Sequence, residues 1–106
     1  MFGEKMKFNK NKLYATKIES ANHFYRLMGE IQKVSSVLWY SGHEPTNRIF
    51  FKRKDIDFGY IKFEPYYHNG LVWVHENGLE LKWFNILTSK CFVEMLSELM
   101  PRKEIG

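Results

Sequence analysis

The chain has a single cysteine, Cys91, among 106 residues, so an intramolecular disulfide is excluded and a reducing interior fits. It has no apolar run long enough to span a membrane. The segment Met1–Lys17 carries charge but lacks the apolar stretch of a secretory signal. The expectation is an untagged, soluble protein of the cytoplasm. Also missing are a Walker loop, a G-x-G-x-x-G turn and a G-x-S-x-G elbow, which removes the usual phosphate, dinucleotide and hydrolase signatures. His23, His43 and Cys91 show no metal-ligand spacing, and no metal or cofactor is implied. There is no internal repeat, no Pro/Gly/Ser-rich linker and no break in composition. One domain over 1–106 is expected, with 1–11 as a flexible basic arm, and this length excludes an enzyme with separate cofactor and substrate modules.

What is present begins as ordinary globular usage, with 44% hydrophobic and 26% charged residues, so neither disorder nor a membrane bundle fits. Aromatics are the exception: nine Phe, six Tyr and three Trp make 17% of the chain. Large rings let a short chain build a core, and they also stack on bases or anchor interfaces. Sixteen Lys and Arg outweigh twelve Asp and Glu, for a net charge of +4. The excess gathers at Lys5, Lys7, Lys10, Lys12 and Lys17, and again at Arg48, Lys52, Arg53 and Lys54. Such a balance is compatible with an anionic partner, and equally with a solvated tail and a charged turn.

Local patterning predicts an α+β fold. A first strand spans Lys12 to Ile18, with Leu13, Ala15 and Ile18 buried. Ser20 caps a helix over about 20–35, whose Phe24, Leu27, Met28, Ile31 and Val34 form one apolar stripe. Gly29 inside it suggests close approach of helix to sheet. Short strands are expected at Val37–Tyr40 and Ile49–Phe51. Asn69-Gly70 and Asn77-Gly78 both read as type I′ turns, so the antiparallel sheet contains a β-meander over about 57–84. A second helix over about 88–100, capped by Thr88 or Ser89 and ended by Pro101, carries Phe92, Val93, Leu96, Leu99 and Met100. Both helices are expected on one face of the sheet.

Counting outward from two-residue turns sets a register. Tyr67, Val72 and Trp83 then share the core face with Pro65, Val74 and Leu81. The other face carries Tyr66, Trp73 and Lys82 in one row, Glu64, His75 and Glu80 in the next, and Lys62 beyond. Three chemistries are available there. Glu64, His75 and Glu80 could hold a divalent metal, or they form a surface ion cluster. Glu80-Leu81-Lys82 with Asp57 matches the acid and Glu-x-Lys arrangement of Mg²⁺ nucleases, a motif short enough to arise by chance. Tyr66 and Trp73 with Lys62 and Lys82 could contact a protein partner or stack the bases of a nucleic acid. Cys91 reads as a structural thiol.

Val37-Leu38-Trp39-Tyr40-Ser41-Gly42-His43-Glu44-Pro45-Thr46 resembles a pattern recurring in small uncharacterised bacteriophage proteins. There a helix runs into W-x-S-G-x-x-P-T, followed by strands and a closing helix. The likeness covers Ala21 to Leu96, with the basic N-terminus and Arg48–Asp57 as departures from the shorter forms. It implies an accessory protein that binds and inhibits host or anti-phage defence machinery in the host cytoplasm, and it carries over no catalytic residue. The expectation is a non-enzymatic interaction protein contacting its partner through Tyr66, Trp73, Lys82, Lys62 and the basic turn Lys52-Arg53-Lys54. A nucleic-acid or nucleotide binder using the same face is the first alternative, and a Mg²⁺ nuclease the second. A homodimer is left open.

Overall fold

The structure, a computed structural model, describes residues 7–45, 59–67 and 69–102. The predicted strand at Ile49–Phe51, the turn Lys52-Arg53-Lys54 and Asp57 lie outside these residues. The elements in order are β1 (Tyr14–Ile18), α1 (Ala21–Val34), β2 (Leu38–Trp39), β3 (Gly59–Phe63), β4 (Gly70–His75), β5 (Asn85–Leu87) and α2 (Ser89–Leu99). The class is α+β, but the sheet is mixed rather than purely antiparallel. Its order is β2-β4-β3-β1-β5. β3 runs antiparallel to both β1 and β4, while β5 pairs parallel with β1 and β2 parallel with β4.

Both helices begin where the sequence places their caps. Ser20 Oγ accepts the His23 N–H at 3.1 Å, and Thr88 Oγ1 accepts the Cys91 N–H at 3.2 Å, each satisfying an otherwise orphaned first-turn donor. Phe24, Leu27, Met28 and Ile31 of α1 and Phe92, Met95, Leu96 and Leu99 of α2 are buried. They pack with Tyr14, Ile18, Ile61, Phe63 and Leu71 of the sheet, so both helices cover one face. Backbone bonds from Ser36 N–H to Met100 O and from Arg102 N–H to Val34 O join the two helix ends. At the other end of the chain, Phe8 packs against the same core and its N–H donates to Glu98 Oε2 at 2.9 Å.

Gly29 does not have the reason expected of it. A Cβ built there meets nothing within 4 Å, so no close approach requires glycine. Gly29→Ala should therefore stabilise the protein by about 0.5–1 kcal/mol, by lowering the backbone entropy of the unfolded chain. Urea denaturation checks this as a higher midpoint at unchanged slope.

The meander is the main correction. Neither Asn-Gly pair forms a two-residue turn; Gly42 is the only described glycine with positive φ, at 96°. Gly70 lies inside β4, and its Cβ would sit 2.6 Å from Tyr40 Cα, so glycine serves close strand approach there. The β3–β4 connection is the longer stretch 64–69. Pro65 gives the reason: it has no N–H for the ladder, and β3 ends at Phe63 just before it. Ile61, rather than Tyr66, then lies opposite Trp73. That slip of five residues is odd, so β4 meets β3 with its two faces exchanged, and Trp73 joins Ile61 on the helix side.

The third strand of the meander is absent. Residues 76–84 form two short 3-10 turns, Glu76–Gly78 and Leu81–Trp83, and cross the face of the sheet away from the helices. Leu79 is buried there with Ala15 and Tyr60, and Val74 and Phe84 pack around them. The chain itself thus covers part of the second face, as a sheet with apolar residues on both sides requires. It then enters β5 at the far edge.

Candidate functional site

The residues predicted to share one exposed face are dispersed. Trp73 lies on the helix side of the sheet. Its ring meets Phe24 edge to face at 6.2 Å between centroids, and it covers Gly59, whose Cβ would lie 2.5 Å from Trp73 Cζ2. Lys62 is on the opposite face and committed: its Nζ lies 3.0 Å from Glu64 Oε2 and 5.8 Å from the centroid of the Phe84 ring. Tyr66 stands in the β3–β4 connection, and Lys82 in the second 3-10 turn.

Tyr66 and Lys82 nevertheless share one end of the sheet, together with residues assigned above to the core. Tyr14 pairs with Phe63 on one side and with Asn85 on the other. Beyond that row lie Lys12 and Leu13, the stretch from Glu64 to Tyr67, and Trp83 with Phe84. Asn85 N–H and Nδ2 both donate to Leu13 O, at 2.9 and 3.1 Å, which fixes the start of β5 beside the start of β1. Three large rings at this end face water: Tyr66 at 68%, Tyr67 at 70% and Trp83 at 65% exposure. The two tyrosines pack edge to face, with centroids 5.1 Å apart.

Lys10 and Lys12, in the segment leading into β1, and Lys82, in the turn before β5, are exposed. The Lys62 ammonium occupies the nearby Glu64 carboxylate, so Glu80 is the exposed acid close to Trp83. Tyr67 and Trp83 were missed because each was counted from an Asn-Gly turn that does not form, Tyr67 from Asn69-Gly70 and Trp83 from Asn77-Gly78. Pro65 was the signal that could have exposed the error at Tyr67.

The other constellations do not assemble. Glu64 pairs with Lys62, His75 ends β4 opposite Gly59, and Glu80 lies in the crossing segment. No group of three metal-ligating side chains occurs among the described residues. Glu80 and Lys82 do not share a strand; both are exposed at a turn.

One polar pair has no counterpart in the sequence reading. His23 Nε2 and Ser89 Oγ are hydrogen-bonded between the first turns of α1 and α2. They stand at a groove of about 400 Å³ between the helices, floored by Leu27 and Val93. His23 Nδ1 accepts the Glu19 N–H at 3.2 Å, so in the neutral ring Nε2 carries the proton and donates to Ser89 Oγ. A base activating a serine hydroxyl needs the opposite polarity. The pair ties two helix starts together across 66 residues of sequence, a distance no local pattern reveals.

No helix among the described residues is long and apolar enough to cross a membrane. Compared with protein-family models, with curated proteins and with solved structures, the chain matches none.

Proposed function

We propose that this chain is a small non-enzymatic interaction protein that occupies an acidic surface of a partner protein through the sheet end bearing Tyr66, Tyr67 and Trp83. The observation that carries the reading is the exposure of these three rings at one end of the sheet, 65% or more each. Exposed aromatics gathered at one end of a sheet suit an interaction site, and Trp and Tyr supply most of the energy where they become desolvated. An edge-to-face tyrosine pair presents a rigid contact that loses little side-chain entropy on binding. The exposed Lys10, Lys12 and Lys82, in segments that lead into β1 and β5, suit an acidic counterpart. The resemblance to bacteriophage accessory proteins suggests what the partner is: a host or anti-phage defence protein, bound so that its own surface is blocked.

A nucleic-acid reading is favoured by one point, the withdrawal of Glu64 into its pair with Lys62, which removes a carboxylate from a possible phosphate track. The two readings separate on one experiment. Immobilised protein exposed to host-cell lysate captures a stoichiometric protein partner, and nuclease treatment of the lysate leaves that capture unchanged. Loss of the partner after nuclease treatment, with a gel shift on single-stranded DNA or RNA whose affinity falls steeply with salt, reverses the choice.

A further inference from the structure

The two edges of the sheet are finished differently. At β2, Tyr40 N–H donates toward β4, to Leu71 O, so the Trp39 backbone faces outward. Both of its outward groups are occupied: Trp39 N–H donates to His43 O and Gly42 N–H donates to Trp39 O, each at 2.7 Å. The turn closes that edge, a usual defence against unwanted strand pairing. At β5 the same alternation leaves the edge open among the described residues. Asn85 N–H is directed to Leu13 O and Leu87 O accepts from Thr16 Oγ1, so both residues face β1. Ile86 between them must then point its N–H and C=O away from the sheet, and neither is bonded within the described chain. Its side chain is 45% exposed, three residues beyond exposed Trp83.

Building on the proposed interaction function, we infer that β5 receives an extended segment of the partner protein as a sixth strand, centred on Ile86 and acidic at its ends. Main-chain pairing at an open edge supplies affinity without demanding a particular side-chain sequence. Lys82, in the 3-10 turn before β5, and Lys90, in the first turn of α2 after it, are both exposed, and their charge favours an acidic segment.

The test uses the whole protein and a fluorescein-labelled octapeptide, Glu-Glu-Val-Thr-Val-Thr-Glu-Glu, with a version carrying Lys in place of Glu. Ile86→Pro deletes the outward N–H while leaving the bonds to β1, a position an edge strand tolerates. Ile86→Val keeps the N–H and guards against a simple loss of the side chain. The expected result is saturable binding of the acidic peptide with an NMR shift of the Ile86 amide. The affinity falls about tenfold or more in Ile86→Pro and stays within about threefold in Ile86→Val. Three results overturn the inference: no binding, equal binding of the Lys peptide, or unchanged binding by a folded Ile86→Pro variant. If Ile86→Pro instead dissociates a dimer seen without peptide, the occupant is a second copy and the inference also fails. Shifts confined to Tyr66, Tyr67 and Trp83 sink the β5 strand alone and leave the proposed function standing; Trp83-independent partner capture sinks that function itself.

Discussion

Trp73→Ala lowers the stability of the protein by about 3 kcal/mol, as expected for removing a large ring packed into a core and leaving a cavity behind. For a domain of this size the melting temperature drops by roughly 10–15 °C. The loss has two sources in the structure. Phe24 loses its edge-to-face partner, and Gly59 loses the ring that covers its bare backbone. Gly59 checks the argument from the other side. A Cβ at position 59 lies 2.5 Å from Trp73 Cζ2, 2.7 Å from Cη2 and 2.8 Å from Val74 O. Gly59→Ala alone therefore costs about 1–3 kcal/mol through overpacking. In the Trp73→Ala background the ring contacts vanish and only the carbonyl contact remains, so the cost is smaller. A double-mutant cycle by urea denaturation should show coupling of at least about 0.5 kcal/mol. Additive effects would place Trp73 away from Gly59, contrary to the register of β3 and β4.

Trp83→Ala behaves in the opposite way. Its ring is mostly in water, so stability stays within about 0.5 kcal/mol of the parent. Partner binding suffers instead. A Trp at the centre of a contact surface contributes about 2 kcal/mol or more on truncation, which is a loss of at least about 30-fold in affinity. Tyr66→Ala and Tyr67→Ala each weaken binding less, because either tyrosine leaves the other ring in place. Titration of the captured partner against the variants, with thermal melts run beside it, separates the two kinds of effect. A Trp83→Ala protein that melts early would return this residue to the core.

The helices and β1 were legible because short-range signals determine them. Ser20 and Thr88 cap, Phe24 to Ile31 and Phe92 to Leu99 keep helical spacing, and Pro101 follows the second helix. Gly42 takes the positive φ that its loop composition suggests. The candidate site was illegible because it rested on register. Asn-Gly is a strong turn signal, but it competed with Pro65, which cannot donate to the ladder, and with Tyr40, whose backbone crowds Gly70. One odd slip then exchanged the faces of β4, sending Trp73 inward, and the longer connection left Tyr67 outside. Leu79 overrode the second Asn-Gly pair, since burying it against Ala15 and Tyr60 draws residues 76–84 out of the ladder and across the sheet. The parallel pairings of β2 and β5 depend on long connections, for which strand patterning carries no signal.

The most direct measurement sets the two tryptophans against each other in one binding experiment. Trp73→Phe keeps an aromatic ring beside Phe24 and Gly59, whereas Trp83→Ala removes a ring from the exposed sheet end. With both variants folded, Trp73→Phe should hold the captured partner within about threefold of the parent, and Trp83→Ala should lose it by about 30-fold or more. Retention by Trp83→Ala together with loss by Trp73→Phe would contradict the account and put the contact surface back on the face that carries Trp73.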